Sequence, residues 1–177
     1  MNNKGSSIIE MLIVMSVGLV IIGGVYEFNV SQGKAYSKHQ DLVYSQESAR
    51  LIMLRLSQDI RRAGLKQSGV SLVGIAAADG KSIRILSDLD LNGDTSGPGE
   101  DITYTYDSET KTISRNGTVM YGSISNLSFS YVLVEGSITS TPSDLSQIRR
   151  ISIALQVQGR NNTIDLYSDV TPRNLGL

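Results

Sequence analysis

The stretch that decides the fold is residues 8–25, which read IIEMLIVMSVGLVIIGGV and are apolar apart from Glu10 and Ser16. With its flanking residues this run approaches the roughly 20 residues that cross a bilayer as a helix. No charged residue lies between Glu10 and Glu27, so nothing interrupts the apolar surface. The run predicts a membrane-spanning helix, although hydropathy alone is equally typical of a plain signal anchor.

The charges before and within this run give its orientation and a candidate functional residue. Lys4 is the only charged residue before Glu10, and the positive-inside rule places that end in the cytoplasm. Everything after about Tyr26 is then expected outside. A secretory signal would have a shorter apolar region followed by a small-residue cleavage site, which is not found here. A carboxylate near the start of a membrane helix costs up to about 2.5–3.5 kcal/mol if it is held at depth, so Glu10 calls for a functional explanation.

The residues around Glu10 resemble the processing site of type IV prepilins, in which a short basic leader ends in glycine. In that family a glutamate is the fifth residue of the mature chain, as Glu10 is when counted from Ser6. The resemblance implies that a prepilin peptidase cleaves between Gly5 and Ser6, that Ser6 is N-methylated, and that the helix is retained. Ser6 stands where the family usually has Phe or Met. Glu10 can pair with the amine of Ser6 on a neighbouring subunit, because an unpaired charge is costly in a low-dielectric medium.

The sequence after the apolar run predicts that the same helix continues through residues 29–64. There is no proline from Tyr26 to Ala63, and Gly64 is suited to end the helix. Arg55 and Asp59 are expected to pair on the exposed face, as are Glu47 and Arg50. Three glycines, Gly23, Gly24 and Gly33, are its predicted weak points. The expected buried stripe, with steps of three, four and seven, is Leu42, Ala49, Met53, Leu56, Ile60 and Ala63.

The end of this predicted helix resembles the PilW group of minor pilins. Residues 48–64 read SARLIMLRLSQDIRRAG, and in that group a comparable run ends with Asp-Ile-Arg followed shortly by Ala-Gly. Asp59, Ile60 and Arg61, then Ala63 and Gly64, are the residues that carry the likeness. The resemblance implies a minor pilin, and the related J-type minor pseudopilins of type II secretion have a similar general plan.

The remainder of the chain, residues 65–177, changes to a period of two and predicts antiparallel strands. Apolar and polar residues alternate in several runs, and residues 71–76 and 82–86 are two further predicted strands. Asn116 and Gly117 predict a type I′ hairpin, because both turn positions need a positive φ. We expect one sheet of about five to seven strands, packed on the distal half of the helix. The predicted fold class is therefore α+β, the type IV pilin fold, with a leader at residues 1–5 and a membrane and assembly helix at residues 6–28.

A possible calcium loop lies within the predicted head. Alternate oxygen-bearing side chains follow one another there, as in the first half of an EF-hand loop. The match fails at position twelve, which is Gly99, and no helix flanks the loop. A solvated acidic turn between two strands is the alternative. The candidate ligands for Ca²⁺ are Asp88, Asp90, Asn92, Asp94, Ser96 and Glu100.

Composition narrows the remaining classes of function. The 177 residues include no cysteine and carry a net charge of −1, which excludes thiol chemistry and disfavours generic nucleic-acid binding. The single histidine, His39, is predicted to lie on the helix surface, and no catalytic motif is found, so we do not expect an enzyme.

The first hypothesis is a minor pilin of the bacterial inner membrane that enters or primes a type IV pilus. Its expected partners are the prepilin peptidase, the assembly platform and other minor and major pilins. The alternatives are a minor pseudopilin of type II secretion, with pseudopilin partners, and a membrane-tethered module that binds calcium or another ligand.

Overall fold

A computed structural model describes residues 8–160 and 162–173. The proposed cleavage site at Gly5 and Ser6 therefore lies outside the described residues. Within them the chain forms one α-helix, nine strands and one short 3-10 helix. The helix α1 is Ile8–Arg62, and the 3-10 helix is Leu145–Gln147. The strands are β1 (Ile75–Ala78), β2 (Ser82–Leu86), β3 (Asp101–Asp107), β4 (Thr112–Arg115), β5 (Thr118–Tyr121), β6 (Ile124–Leu133), β7 (Ile138–Thr139), β8 (Ile148–Gln158) and β9 (Thr163–Val170).

The long helix ends where the sequence predicts. Arg61 and Arg62 occupy its last turn, where their charge complements the helix dipole. Gly64 has a φ of +76°, which costs glycine little, and its N–H donates to the carbonyl of Leu86 at 2.9 Å. The helix α1 passes through Gly23, Gly24 and Gly33 without a break. The lower helix propensity of these three glycines stays a prediction.

The strands form two sheets, so the expectation of one sheet is wrong. The first sheet has the order β1-β2-β3-β4-β5 and the second the order β7-β6-β8-β9, all antiparallel. The division falls at Gly122 and Ser123, where Ser123 has a φ of +61° and redirects the chain after β5. The strand β6, of ten residues, then pairs with β8, of eleven residues, and alternate apolar residues of both strands are buried in the core.

The predicted hairpin is confirmed. Asn116 and Gly117 have φ values of +51° and +77°, and they join β4 to β5. The strand predicted at residues 82–86 is confirmed as β2, whereas the one predicted at residues 71–76 is displaced to Ile75–Ala78. These elements establish an α+β, pilin-like architecture of a long N-terminal helix followed by antiparallel sheets.

The chain divides into two compact units, one up to Asp41 and one from Leu42 onward. In the second unit, the distal part of α1 and the inner faces of both sheets share one hydrophobic core. Burial of each large apolar side chain there contributes about 1.5–3 kcal/mol to stability. From α1 that core includes Ala49, Ile52, Met53, Leu56, Ile60 and Ala63.

Candidate functional site

The N-terminal part of α1 is an exposed apolar helix that begins with a single carboxylate. Glu10 lies in the first turn of the described helix and is solvent-exposed. An 18-residue window of α1 has a mean hydropathy of 2.5, and none of that window is buried. By length and composition, this is the one helix among residues 8–160 and 162–173 that could cross a membrane. His39, farther along, is also exposed, as predicted.

Exposure of so many large apolar side chains indicates that this surface is covered in the cell by lipid or by other protein. Between Met11 and Tyr26 the helix offers no charge to water, and its one polar side chain, Ser16, donates to the carbonyl of Leu12 at 2.8 Å. Glu10 is therefore the only charged group from Ile8 to Tyr26.

The acidic loop, residues 87–100, connects β2 to β3 and is built around two buried carboxylates. Asp88 and Glu100 are each 1% exposed. Glu100 Oε1 accepts from the N–H groups of Leu89 (2.7 Å) and Asp90 (3.2 Å), and its Oε2 accepts from the N–H of Gly97 (2.7 Å). Buried carboxylates are tolerated when backbone donors satisfy them in this way.

Backbone N–H groups also donate to both carboxylate oxygens of Asp88. Its Oδ1 accepts from the N–H of Asn92 at 3.0 Å, and its Oδ2 accepts from the N–H groups of Gly93 at 3.0 Å and Gln67 at 3.3 Å. Gly93 has a φ of +95°, the left-handed conformation that allows the chain to curl around this side chain. The bond from Gln67 also ties the loop to the segment that follows α1.

The structure brings together half of the predicted calcium ligands. Asp88, Asp90 and Glu100 each offer a carboxylate oxygen, and the three oxygens lie within 4.8 Å of one another. Partial desolvation raises the pKa of Asp90, as does repulsion from Glu100 and Asp88, against the lowering effect of the backbone hydrogen bond from Asn92. Carboxylate oxygens in such a group suit a hard cation chemically.

The other three predicted ligands are engaged within the turn. Asp94 Oδ1 accepts from the N–H of Ser96 at 2.8 Å and from its Oγ at 2.7 Å, and these hydrogen bonds lower the pKa of Asp94. Asn92 donates through Nδ2 to Asp90 Oδ2 at 3.2 Å and accepts from the N–H of Asp94. The loop therefore satisfies much of its own hydrogen bonding, and calcium binding stays a prediction.

A buried ionic cluster links α1 to the first sheet, and its burial contradicts the expectation that Asp59 lies on the exposed face. Asp59 is 3% exposed, and its Oδ2 accepts from the Tyr104 hydroxyl at 2.7 Å. Arg55 Nε lies 3.5 Å and Arg115 Nε 3.7 Å from the same oxygen. The ion pair of Arg55 with Asp59 is therefore confirmed, whereas Glu47 and Arg50 form no ion pair in the part of the chain that the structure describes.

The position of Asp59 was readable from the sequence. It lies three residues after Leu56 and four before Ala63, two residues of the predicted buried stripe, so it shares their face of the helix. Burial raises the pKa of the Tyr104 phenol, and the hydrogen bond to the Asp59 carboxylate raises it further. This cluster fixes the end of the helix against β3 and β4 through polar contacts as well as apolar ones.

Comparison with known proteins identifies the N-terminal segment. Residues 1–26 match the family model described as the prokaryotic N-terminal methylation motif. None of the curated proteins matches the chain. The matched motif and the α+β fold support a protein of the type IV pilin or pseudopilin class. The motif implies processing by a prepilin peptidase and partners of pilin type, and with the long apolar helix it fits a membrane-anchored pilin.

Proposed function

We propose that this chain is a minor pilin, similar to the PilW group, that takes part in the assembly or priming of a type IV pilus. The observation that carries the proposal is the methylation motif at residues 1–26, leading into an exposed apolar helix whose first described turn contains Glu10. The helix enters a filament, and Glu10, the one carboxylate of its apolar part, aligns it there. The role is assembly, without catalytic turnover.

Processing prepares the chain for this role. Hydrolysis of the peptide bond between Gly5 and Ser6 releases the leader with a carboxylate on Gly5 and leaves an amino group on Ser6. One methyl group from a methyl donor then replaces one hydrogen of that amine. Before assembly the helix crosses the bacterial inner membrane once, with its N-terminus in the cytoplasm and the head outside, beside the assembly platform. The cationic amine of Ser6 on a neighbouring subunit pairs with Glu10, which fixes the axial register.

The first test is the intact mass and N-terminal sequence of the protein from membranes with and without the prepilin peptidase. We expect loss of Met1–Gly5 and addition of one methyl group to Ser6, both dependent on the peptidase. An uncleaved chain in the presence of the enzyme would reduce the protein to a tethered head and refute the proposal.

The second test separates assembly from processing. We expect Glu10→Ala to be cleaved and to enter sheared filaments at least about tenfold less than the wild type, since it leaves the amine of a neighbour unpaired at low dielectric. Glu27→Ala is the matched control, because Glu27 is the next carboxylate along the same exposed helix. Equal incorporation of the two variants would contradict the role of Glu10.

A minor pseudopilin of a type II secretion system is the alternative within the same class, because it would use the same leader, helix and head. The presence or absence of the protein in surface pili distinguishes a minor pilin from a minor pseudopilin. A minor pilin co-purifies with retractable surface pili, whereas a pseudopilin is required for exoprotein secretion and is absent from such pili. Deletion of the gene with both readouts in one strain decides between them.

A tethered module that binds calcium is a second candidate function, favoured by the three convergent carboxylates of Asp88, Asp90 and Glu100. The test is thermal unfolding of the full chain in detergent with increasing calcium. We expect calcium to raise the Tm of the wild type and to leave the Tm of Asp90→Asn unchanged. Glu109→Gln is the control, because it alters an exposed acid elsewhere in the head, and calcium should raise its Tm as in the wild type. A wild-type Tm that is constant up to millimolar calcium would exclude the module.

A further inference from the structure

A groove of about 250 Å³ lies between the distal part of α1 and strand β9. Leu166 is the strand residue that lines it, and the rest of the lining comes from the helix. Leu166 is half-buried, whereas Leu155, its partner on β8, is 2% exposed. Burial therefore decreases from β8 to β9, so the groove opens at the edge of the second sheet. The helix residues that line it are Arg50, Met53, Leu54, Ser57, Gln58 and Arg61.

Strand β9 presents an open backbone edge beside this groove. In the described part of the chain it is the last strand of the sheet, paired through eight residues with β8 on one side. Its other side carries backbone N–H and C=O groups that no described strand satisfies. The strand contains neither proline nor lysine, and the charges on it are those of Asp165 and Asp169, which restrict the kind of strand that can pair there. The edge can thus accept another strand whose side chains suit these charges.

The position of the helix determines which side chains an added strand would need. A strand beyond β9 would lie about 4.8 Å farther out, and its alternate side chains would point to the helix side of the sheet. They would meet Leu54 and the guanidinium groups of Arg50 and Arg61. Neither arginine has an ion pair or a side-chain hydrogen bond among residues 8–160 and 162–173, and both are exposed. The helix side of the groove therefore favours carboxylates and an apolar side chain.

The spacing of the two arginines agrees with an extended ligand. They are eleven residues apart on α1, which corresponds to about 16 Å along the helix axis. Two side chains on the same face of a strand, four residues apart, are separated by about 13 Å. Long arginine side chains can make up the difference for a strand that runs along the helix axis, and such a strand can present a carboxylate to each arginine.

The outer face of β9 argues against a second copy of β9 as the occupant. Asp165, Tyr167 and Asp169 point away from the helix and are exposed. Antiparallel pairing of two such strands about Tyr167 would place Asp165 of each opposite Asp169 of the other. Like charges directly opposite destabilise a strand pair. Asp169 already lies 3.6 Å from Arg150 and Asp165 accepts from Gln156 at 2.8 Å, and both remain exposed. The outer face instead favours lysine, arginine or threonine on the incoming strand.

We propose that β9 and the adjoining groove bind an extended strand of a different filament subunit, with acidic and apolar residues facing α1 and basic or hydroxyl residues facing outward. The added strand continues the second sheet and pairs its carboxylates with Arg50 and Arg61. The binding site is inferred from the groove and the strand edge. Only the identity of the partner, a filament subunit, rests on the proposed function.

The test uses a fluorescein-labelled octapeptide in which Glu and Leu alternate with Lys and Thr, titrated with the full chain in detergent micelles. We expect saturable binding by fluorescence anisotropy, and we expect Arg50→Glu/Arg61→Glu to weaken it by about tenfold or more. Arg62→Glu is the matched control, because Arg62 is an exposed neighbour that does not line the groove. Circular dichroism checks that each variant is folded. Equal binding by the double variant and the wild type would overturn the proposal.

Backbone pairing has its own test. Two further peptides carry N-methyl groups on alternate amides, so that each blocks one edge of the extended peptide. We expect one methylation pattern to weaken binding by at least about tenfold, and the other, which faces solvent, to leave it unchanged. If both patterns bind as well as the parent peptide, strand addition is refuted. The purified chain needs no processing for this assay, so the two proposals can fail separately. Absence of peptide binding would not contradict the role in a filament. An uncleaved leader would not prevent the measurement of peptide binding.

Discussion

Replacement of Tyr104 by phenylalanine tests whether the ionic cluster around Asp59 stabilises the head. The substitution removes the hydroxyl that donates to Asp59 Oδ2 at 2.7 Å and otherwise keeps the ring. The carboxylate, 3% exposed, then has only Arg55 at 3.5 Å and Arg115 at 3.7 Å. A hydrogen bond to a charged group contributes about 1.5–3 kcal/mol. For a unit of this size that loss corresponds to a decrease in Tm of about 6–12 °C.

The assay is thermal unfolding of the full chain in detergent, followed by the near-ultraviolet circular dichroism of tyrosine, because the chain has no tryptophan. Tyr167→Phe is the matched control, since Tyr167 also lies in a strand but is 80% exposed, and its loss should change the free energy of unfolding by less than about 0.5 kcal/mol. A double-mutant cycle with Asp59→Ala, which removes the acceptor, locates the effect. If Tyr104→Phe costs as much in the Asp59→Ala background as in the wild type, the hydrogen bond is not the source of the stability and the reasoning fails.

Two further predictions concern the same head. First, burial raises the pKa of Tyr104 and of Tyr131 in the fold, while both phenols ionise near pH 10 in the unfolded chain. The stability they confer is therefore fully present below about pH 10 and is lost as the pH rises beyond it, at up to about 1.4 kcal/mol per pH unit for each tyrosine. Urea unfolding at a series of alkaline pH values measures how steeply the free energy of unfolding falls with pH. This dependence should be shallower in Tyr104→Phe, and an unchanged dependence would contradict the raised pKa of Tyr104. Second, Gly97→Ala should lower the free energy of unfolding by about 1–3 kcal/mol, because the new Cβ would lie 2.6 Å from Glu100 Oε2 and would displace the buried carboxylate from its backbone donors. Gly122→Ala, where a Cβ meets nothing within 4 Å, is the control for denaturant unfolding, and equal stability of the two variants would contradict this account of the loop.

The acidic loop illustrates how one pattern of residues serves two chemistries. Side chains spaced to ligate a cation are also spaced to accept hydrogen bonds from a tight turn, since both need oxygens that converge on one point. In the loop, Asp88 and Glu100 accept six hydrogen bonds from backbone N–H groups. These hydrogen bonds explain the shape of the turn without a ligand. Calcium binding, which stays a prediction, would also use the carboxylate of Asp90 beside them.

Local pattern was sufficient for the features that depend on near neighbours along the chain. The long apolar run before Tyr26, the helix end at Gly64 and the hairpin at Asn116 and Gly117 all follow from residue type and spacing. A helix or a tight turn forms through contacts within about four residues, so its signal is contained in a short window of sequence. The processing motif is of the same kind, because a peptidase reads a linear segment.

Tertiary structure alone decided the features that join distant segments. The division into two sheets depends on whether β6 pairs with β5 or with β8, and alternation looks the same in either case. The Asp59 cluster needs Tyr104 from another element, and the groove beside β9 exists because α1 lies over one edge of the second sheet. The sequence by itself predicted a long apolar helix, a prepilin-type processing motif and a strand-rich head. Which strands became neighbours, which carboxylates were buried and which edge stayed open were set by long-range packing, since those contacts are chosen by the surface that the whole fold buries.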